Sequence, residues 1–274
     1  SSISSARLQA ATGKESVSDA RSLVNTPVVL AVRPQLKEAL AQQSWAALPG
    51  LQTNPAALDS LNLPGWGSLR LALPSVGDSD ASYLAAEAVA AASAPQGSPA
   101  TAGLGAVNTL VGGQPKLADN TANEAWKALL TDGDPAAAPV HAVVTTEQQL
   151  FQRASSLPEA KNSVASWLPP GPVALADYPT VLLAGTWLSS EQVSAASEFA
   201  RFMRQPDQLA DLAGAGFRAE GANPKGNDVV DFAPLGAPLS VGDDTVRATL
   251  AGAPPAPAAG SATTGAPDAA PAGH

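Results

Sequence analysis

Two polar stretches and one tyrosine carry the side chains best suited to hold a ligand. The first stretch is the loop SVGDSDAS at residues 75–82, which offers serine hydroxyls and aspartate carboxylates. The second is TTE at residues 145–147, and the tyrosine immediately precedes an apolar run. We predict ligand-binding positions at Ser75, Ser79, Asp80, Ser82, Thr145, Thr146, Glu147 and Tyr178.

Both stretches are predicted to follow a strand and to open a helix. In open α/β sheets, ligands lie at the carboxyl ends of strands. The free N–H groups of a helix N-terminus, together with hydroxyls, suit an anionic or hydroxyl-rich ligand, although Asp78 and Asp80 oppose a strong anion. The same residue types also serve as ordinary helix caps. Both interpretations stay open, and Tyr178 fits either a cleft or a packed domain junction.

Other motifs offer no catalytic set. The sequence contains no GxSxG elbow, no P-loop and no HExxH motif. His141 lies in the predicted strand VHAVV without a second His or a Cys beside it, so we interpret it as a half-buried strand residue. Gly103-Leu104-Gly105 lacks a third glycine and a preceding strand, which indicates a flexible loop. We therefore predict that the protein is not an enzyme and has neither a metal site nor a cofactor.

Composition excludes several other classes. Charged residues make up 14% of the 274 residues, the net charge is −9, and Lys and Arg never form a run. A nucleic-acid binder needs a basic stripe, so we predict no nucleic-acid partner. The absence of cysteine excludes disulfides and thiolate sites. The most apolar stretch, residues 81–94, is shorter than the ~20 residues of a membrane span, and the Ser-Ser-Ile start indicates a processed or truncated N-terminus.

Apolar runs and helix signals predict the elements that position these residues. Runs at 28–32, 69–73, 140–144 and 180–184 indicate buried strands, the first of them parallel. Helical patterns alternate with them, which is typical of α/β layers. Residues 158–172 are predicted as a loop with a helical turn near Trp167.

The segment 176–220 carries the clearest secondary-structure signals in the chain. After its strand, Ser189 and Gln192 have the spacing of a capping box. The helix that follows carries an apolar face from Val193 to Met203, and Pro206 suits the first position of a second helix. We predict that both helices pack onto a sheet. Beyond them, residues 249–274 are rich in Pro and Ala and are predicted to be a disordered tail.

The order of these segments resembles that of bacterial extracellular solute-binding proteins of the type II periplasmic-binding fold, and is most similar to the molybdate-binding-like branch. Five landmarks carry the resemblance. They are TPVVLAVRPQL (26–36), GSLRLALPSVGDSDASYLAAEAV (67–89), AWKALLTDGDP followed by HAVVTTEQQL (125–150), DYPTVLLAGTW (177–187) and EFARFMRQPDQLADLAGAGFR (198–218).

This resemblance implies an α/β protein with two lobes, each a three-layer α/β/α sandwich, and a ligand cleft beside a hinge that the chain crosses twice. The implied first lobe comprises residues 1–66 and 176–248 with the hinge strands, and the second comprises residues 67–175. The family's first lobe begins with strand–helix–strand units that would precede Ser1. We therefore expect the first lobe to be incomplete at its N-terminus.

The resemblance also implies a function. We expect a non-catalytic domain outside the cytoplasm, in the cell envelope or secreted, that holds a small polar or anionic ligand between its lobes. A membrane permease or a fused domain is the expected partner. The alternative is a degenerate binding fold that acts as a sensor or as an interaction scaffold for a protein partner in the envelope.

Overall fold

The computed structural model describes residues 17–242 and 244–251. A six-stranded mixed sheet forms its frame, with strand order β2-β3-β1-β4 and with β5 and β6 both paired to β1. The strands are β1 (Val17–Val32), β2 (Leu71–Ala72), β3 (Ala142–Thr146), β4 (Ala165–Trp167), β5 (Leu175–Leu183) and β6 (Arg218–Ala219). The predicted α/β class is confirmed.

Helices connect most of these strands. The α-helices are α1 (Pro34–Ala39), α2 (Leu48–Thr53), α3 (Asp80–Ser93), α4 (Leu104–Gly112), α5 (Ala122–Leu129), α6 (Glu147–Ser155), α7 (Ser190–Met203), α8 (Pro206–Gly214) and α9 (Asp244–Ala251). Short 3-10 turns lie at Trp45–Ala47, Asp59–Leu61, Ala100–Gly103, Pro135–Ala137 and Ala160–Asn162.

Strand β1 organises the sheet because its two halves have different neighbours. The half from Val28 to Val32 pairs antiparallel with β3 on one side and β4 on the other. The half from Val17 to Pro27 pairs antiparallel with β5, and β6 joins its other edge at Val24 and Asn25. The predicted parallel pairing of residues 28–32 is wrong. An apolar run shows only that both faces of a strand are covered, which an antiparallel strand can also achieve.

Both faces of the sheet are covered where β1 meets β3. Successive side chains of a strand point to opposite faces, so Val28 and Leu30 enter one core with Leu84 of α3. Val29 enters a second core with Trp126 of α5. Helices therefore flank this part of the sheet on two sides, as in a three-layer arrangement.

The glycine pair at 103 and 105 is helical and not a flexible loop, so that prediction is wrong. Gly103 ends the 3-10 turn at Ala100–Gly103, and Gly105 lies in the first turn of α4. A Cβ on Gly103 would lie 2.0 Å from the carbonyl oxygen of Ala90 in α3. Glycine is needed there because two backbones touch. The turn predicted near Trp167 is also wrong, since Ala165–Trp167 forms β4 against β1.

The segment after β5 folds locally as predicted. The Ser189 hydroxyl accepts from the Gln192 N–H, and the Gln192 side chain accepts from the Ser189 N–H, which confirms the capping box. Pro206 begins α8 as predicted. Helix α7 lies against β5 of the sheet as predicted, but none of its residues is buried and Phe199 is 62% exposed, so its apolar face does not enter a core. Strand β5 is likewise half-buried, with Leu183 42% exposed.

Residues that the resemblance assigned to different lobes share one core. Leu36 of α1 and Leu48 of α2 pack in the same cluster as Leu84 of α3, although residues 28–66 and 67–175 were assigned to different lobes. The lobe boundaries therefore stay a prediction. Of the predicted tail, residues 249–251 belong to α9, whose Leu250 is buried, and residues 252–274 lie outside the described residues, as do residues 1–16.

Candidate ligand site

Strands β2 and β3 bring the two predicted polar stretches to the same edge of the sheet. They pair in parallel, with Leu71 opposite Ala142 and Ala72 opposite Val143. Because parallel strands end at the same edge, the segment after β2 and the first turn of α6 after β3 become neighbours. Carboxyl ends of adjacent parallel strands are where ligands bind in open α/β sheets.

The loop at 75–82 lies at the surface, with Ser75 exposed and Ser79 and Ser82 half-buried. The N–H groups of Ser75 and Val76 donate to the carbonyl oxygen of Asn120, at 2.9 and 3.1 Å, which fixes the loop backbone. Ser79 is the N-cap of α3, yet its side chain makes no capping hydrogen bond. Within the part of the chain that the structure describes, no protein partner satisfies the hydroxyls of Ser75, Ser79 or Ser82. They are available to a ligand.

Gln149 joins the two stretches. Its side-chain Nε2 donates to Oδ2 of Asp78, and its Oε1 accepts from Thr145 Oγ1 at 3.1 Å. The Gln149 N–H also donates to Thr146 Oγ1 at 3.2 Å, which caps α6. The sequence analysis missed Gln149. The available signal was its position, three residues after a threonine that follows a strand, which is the N3 position of a helix.

Tyr178 reaches the same region from β5. Its ring lies edge-on to Phe217, with the ring centroids 5.5 Å apart. Burial, and to a smaller extent the negative charges of Asp78 and Asp80, together raise the pKa of Tyr178 to about 12. The phenol therefore stays protonated and can donate a hydrogen bond. The local potential is negative, so this part of the protein favours cationic groups or hydroxyl donors over anions.

The three predicted residues where β3 ends and α6 begins are buried and already have partners. Thr145 and Thr146 are each 2% exposed and are hydrogen-bonded to Gln149. The carboxylate of Glu147 binds Arg218 in a two-point contact, with Oε1 2.7 Å from Nε and Oε2 2.9 Å from Nη2. Arg218 also donates to the carbonyl oxygen of Ala233 at 2.8 Å. Glu147 thus fastens the segment after α8 to α6.

Of the predicted site, the structure places Asp80 and Tyr178 close to Asp78, which Gln149 contacts. We call these four residues, together with Ser75, Ser79 and Ser82 of the same loop, the polar cluster. Asp78 had been noted in the loop but was not among the predicted ligand positions. Whether these residues contact a ligand stays a prediction.

A cavity lies in another part of the protein. It has a volume of about 830 Å³, and its walls include Lys37, Trp167 and Asp228. Glu147 is the one predicted site residue that lines it. Its size is in the range of small-molecule pockets, so it is the natural competitor of the polar cluster for a ligand.

His141 has a structural role. It is fully buried, its Nδ1 accepts from the Arg70 N–H at 3.2 Å, and its Nε2 donates to the Ala136 carbonyl at 3.0 Å. Burial lowers its pKa; the Ala136 hydrogen bond opposes this, while Arg70 and Arg33 lower it further. The imidazole is therefore neutral, with both nitrogens in use.

In residues 17–242 and 244–251, no group of three or more His, Cys, Asp or Glu side chains is placed to hold a metal ion. No helix there has the length and apolar character to cross a membrane.

Solved structures share this fold. A ferric binding protein of Bordetella superposes with a TM-score of 0.51 and 13% identity, over 84% of this chain and 66% of that chain. The apo FutA2 protein of Synechocystis PCC6803 has the same TM-score and coverage at 14% identity. A Trichodesmium protein in complex with iron and citrate has the same TM-score of 0.51 and the same coverage, at 10% identity. At these identities the likeness shows the two-lobed periplasmic-binding-like fold alone.

Sequence comparisons identify the family of this chain. Two proteins of Mycobacterium tuberculosis, from strains CDC 1551 and H37Rv and both described as uncharacterized, are 63% identical over 264 residues. These residues are 96% of this chain but 39% of each relative, so the chain spans well under half of their length. The sequence profile of the family described as bacterial extracellular solute-binding protein matches residues 1–218. The resemblance inferred from the five landmarks is confirmed, and the chain belongs to this family of ligand-binding proteins.

Proposed function

We propose that this chain is a non-catalytic, extracytoplasmic binding domain that holds a small polar solute at the polar cluster. The observation that carries the proposal is the convergence of Asp78, Gln149 and Tyr178 from three separate elements. Membership of an extracellular solute-binding family supports both the location and the class of ligand.

The chemistry of the cluster favours a ligand with hydroxyl or ammonium groups. Carboxylates accept hydrogen bonds from such groups, serine hydroxyls both donate and accept, and the protonated phenol of Tyr178 donates. An anion would be repelled by Asp78 and Asp80, since two charges 4 Å apart interact by roughly 4 kcal/mol near a protein surface. The expectation of a polar or anionic ligand is thereby narrowed to a polar, neutral or cationic one.

We propose that the two longest strands, β1 and β5, form the hinge between the lobes. β1 and β5 pair antiparallel from Val17–Leu183 to Pro27–Leu175, and Tyr178 lies on the second of them. Bending of this ribbon would close the segment after β5 over the polar cluster, as in hinge closure around a ligand. The shared core of residues 28–66 with α3 supports a first lobe boundary near residue 27 instead of 66.

We consider iron only as a candidate ligand to be tested. The Bordetella protein is named for ferric binding and the Trichodesmium protein was solved with iron and citrate. Tyr178 and two carboxylates are oxygen donors of the kind that hard cations prefer. A raised pKa works against the phenolate form of Tyr178, so we place a metal second to a hydroxyl-bearing or ammonium-bearing solute.

The test is a thermal-shift screen followed by calorimetric titration. The panel contains sugars and polyols, amino acids and polyamines, oxyanions, and ferric citrate. A ligand that binds the folded state raises the melting temperature by mass action. For the best ligand we expect Asp80→Asn and Tyr178→Phe to weaken binding by about tenfold or more, the equivalent of ~1.4 kcal/mol.

Asp228→Asn is the matched control, because Asp228 lines the 830 Å³ cavity and not the polar cluster. A loss of affinity in this variant alone would move the site to the cavity and overturn the assignment. Preferred binding of oxyanions would contradict the electrostatic argument. The absence of any shift, also in the longer M. tuberculosis relatives, would favour the alternative function.

That alternative is a solute-binding fold that serves as a sensor or interaction scaffold in the cell envelope. The specific observation in its favour is that Thr145, Thr146 and Glu147 are committed to internal contacts. A permease or a fused domain remains the proposed partner in the first case, and an envelope protein in the second.

A further inference from the structure

A small cavity lies between α3, the first residues of β5 and α9, and has a volume of about 200 Å³. Its charged lining consists of the side chains of Glu87, Asp177 and Arg247, and leucine and alanine side chains form the rest of its wall. A water molecule takes up ~30 Å³ in the liquid, so the cavity has room for more than a single water. It can hold a compact polar solute.

Glu87 is the most deeply buried of the three charged residues, and its pairing is incomplete. Its side chain is 2% exposed, and its Oε2 lies 3.4 Å from Nη2 of Arg247. Charge-assisted hydrogen bonds are normally about 2.7–2.9 Å long. Within the described residues, neither Oε1 of Glu87 nor Nε of Arg247 has any hydrogen-bond partner. A buried carboxylate oxygen and a buried N–H group therefore both lack a partner beside this cavity, which is unfavourable unless a bound molecule satisfies them.

Asp177 adds a second carboxylate to the wall of the cavity. It is half-buried on β5, and its Oδ1 accepts a hydrogen bond from Ser22 Oγ of β1. With all three groups ionised, the two carboxylates and one guanidinium leave one negative charge in excess. A positively charged group inside the cavity would offset that charge, whereas an anion would be repelled.

This cavity is separate from the polar cluster. Glu87 lies seven residues after Asp80 on α3, which is about 10 Å along the helix axis. Asp177 directly precedes Tyr178 on β5, and successive side chains of a strand point to opposite faces. The two groups of residues therefore lie at different levels of α3 and on different sides of β5.

We propose that this cavity is a second binding site, which takes a small ammonium compound that also carries a hydroxyl or carbonyl oxygen. The ammonium group donates to Oε1 of Glu87 and offsets the excess negative charge, and the ligand oxygen accepts from Nε of Arg247. Because the wall comes from α3, β5 and α9, an occupied site joins these three elements. The proposal does not depend on ligand binding at the polar cluster, so either can fail without the other.

Titration of the ¹⁵N-labelled 274-residue chain with ethanolamine hydrochloride, followed by NMR, tests the proposal. Ethylene glycol is the matched neutral probe, and tetramethylammonium chloride is the matched cation without an N–H group, all at one ionic strength. We expect ethanolamine alone to cause saturable shifts of the amide signals of Glu87, Leu175 and Asp177.

Two variants remove the carboxylates without changing the shape of the side chains. Glu87→Gln should weaken the binding of ethanolamine, followed at Leu175 and Asp177, by about tenfold or more, because the charge-assisted hydrogen bond is lost. Asp177→Asn should weaken it to a smaller extent, and it keeps an oxygen for Ser22. Glu198→Gln, at a side chain that is 73% exposed on α7, is the control for the loss of a negative charge elsewhere. Thermal unfolding followed by circular dichroism checks that each variant is folded.

The absence of saturable shifts at these three residues in the unmutated chain would overturn the proposal. An equal response to ethylene glycol would mean that the cavity is merely hydrated and does not select a cation, which also overturns it. So would an unchanged affinity in both Glu87→Gln and Asp177→Asn. If only Asp80→Asn abolished the response to ethanolamine, the ligand would belong to the polar cluster, which would support the proposed function and refute this second site.

Discussion

The body and the arm of this protein are built from the same strand but stabilised very differently. In the body, residues 28–174, Val28 to Val32 of β1 are at most 1% exposed and contribute to two cores. In the arm, residues 17–23 and 178–218, the same strand continues as a half-exposed ribbon with α7 beside it. The difference teaches that regular backbone structure and a buried core are specified separately.

Local signals suffice for the backbone of the arm. The capping box at Ser189 begins α7, and Pro206 begins α8, without any buried residue in α7. Hydrophobic burial, which dominates folding free energy, depends instead on a partner surface. The arm therefore has its secondary structure, but among residues 17–242 and 244–251 no layer covers its apolar side.

Truncating one leucine in each region gives the largest expected contrast. Leu30 is fully buried in β1, whereas Leu183 at the end of β5 is 42% exposed. Leu30→Ala should lower the free energy of unfolding by about 2–5 kcal/mol, because it leaves a cavity in the core. Leu183→Ala should change it by less than ~0.5 kcal/mol. Urea unfolding followed by circular dichroism measures both, and similar losses would mean that the arm is packed in solution.

Breaking the ion pair that ties the two regions together should have the next largest effect. Arg218→Ala leaves the carboxylate of Glu147 buried without its cation, and we expect a loss of about 2–3 kcal/mol. Arg201→Ala is the control, since its pair with Glu198 is exposed and its atoms are 3.9 Å apart. Exposed pairs contribute ~0.5 kcal/mol or less. An equal effect of the two variants would show that the Glu147–Arg218 contact does not fasten the arm.

The same contrast explains what the sequence could predict. Strands, helix starts and the family followed from apolar runs, caps and the order of landmarks, because these signals are local. The antiparallel pairing of residues 28–32 could not be predicted from the sequence, since an apolar run does not reveal the direction of the neighbouring strand. The exposure of Phe199 could not be predicted either, because an apolar helix face does not reveal whether a partner surface covers it.

The candidate site was predictable to a similar degree. The loop at 75–82 and Tyr178 could be proposed as ligand positions because polar residues beside predicted strands often bind ligands, and their contact with a ligand stays a prediction. Gln149 and the Arg218 partner of Glu147 were missed. Both depend on the parallel pairing of β2 with β3 and on the return of the chain past α8, which residue spacing does not encode.

A buried charge in the body predicts a pH dependence. Glu87 of α3 is 2% exposed; burial raises its pKa, and the Arg247 cation opposes the shift. The folded state therefore binds this proton more tightly than the unfolded chain. Its contribution to stability is complete below the ordinary value of 4.5 and is lost as pH rises through the folded pKa.

Glu87→Gln should remove this slope from a plot of unfolding free energy against pH, while Glu198→Gln in the arm, 73% exposed, should keep it. Chemical unfolding at several pH values from 3.5 upward measures the slope. A wild-type slope in the Glu87→Gln variant would show that another group causes it.

The smallest effect comes from removing the same interaction, a helix N-cap, in each region. Thr146 caps α6 in the body through the Gln149 N–H, and Ser189 caps α7 in the arm through the Gln192 N–H. Losing such a cap costs about 1 kcal/mol. Thr146→Ala should therefore lower the global unfolding free energy by about that amount, because α6 is part of the cooperative core. Ser189→Ala should instead speed hydrogen exchange within α7 and leave the global midpoint nearly unchanged, since a helix without buried residues can open by itself. If Ser189→Ala shifts the urea midpoint as far as Thr146→Ala does, the arm unfolds with the body, and the separation drawn between them does not hold in solution.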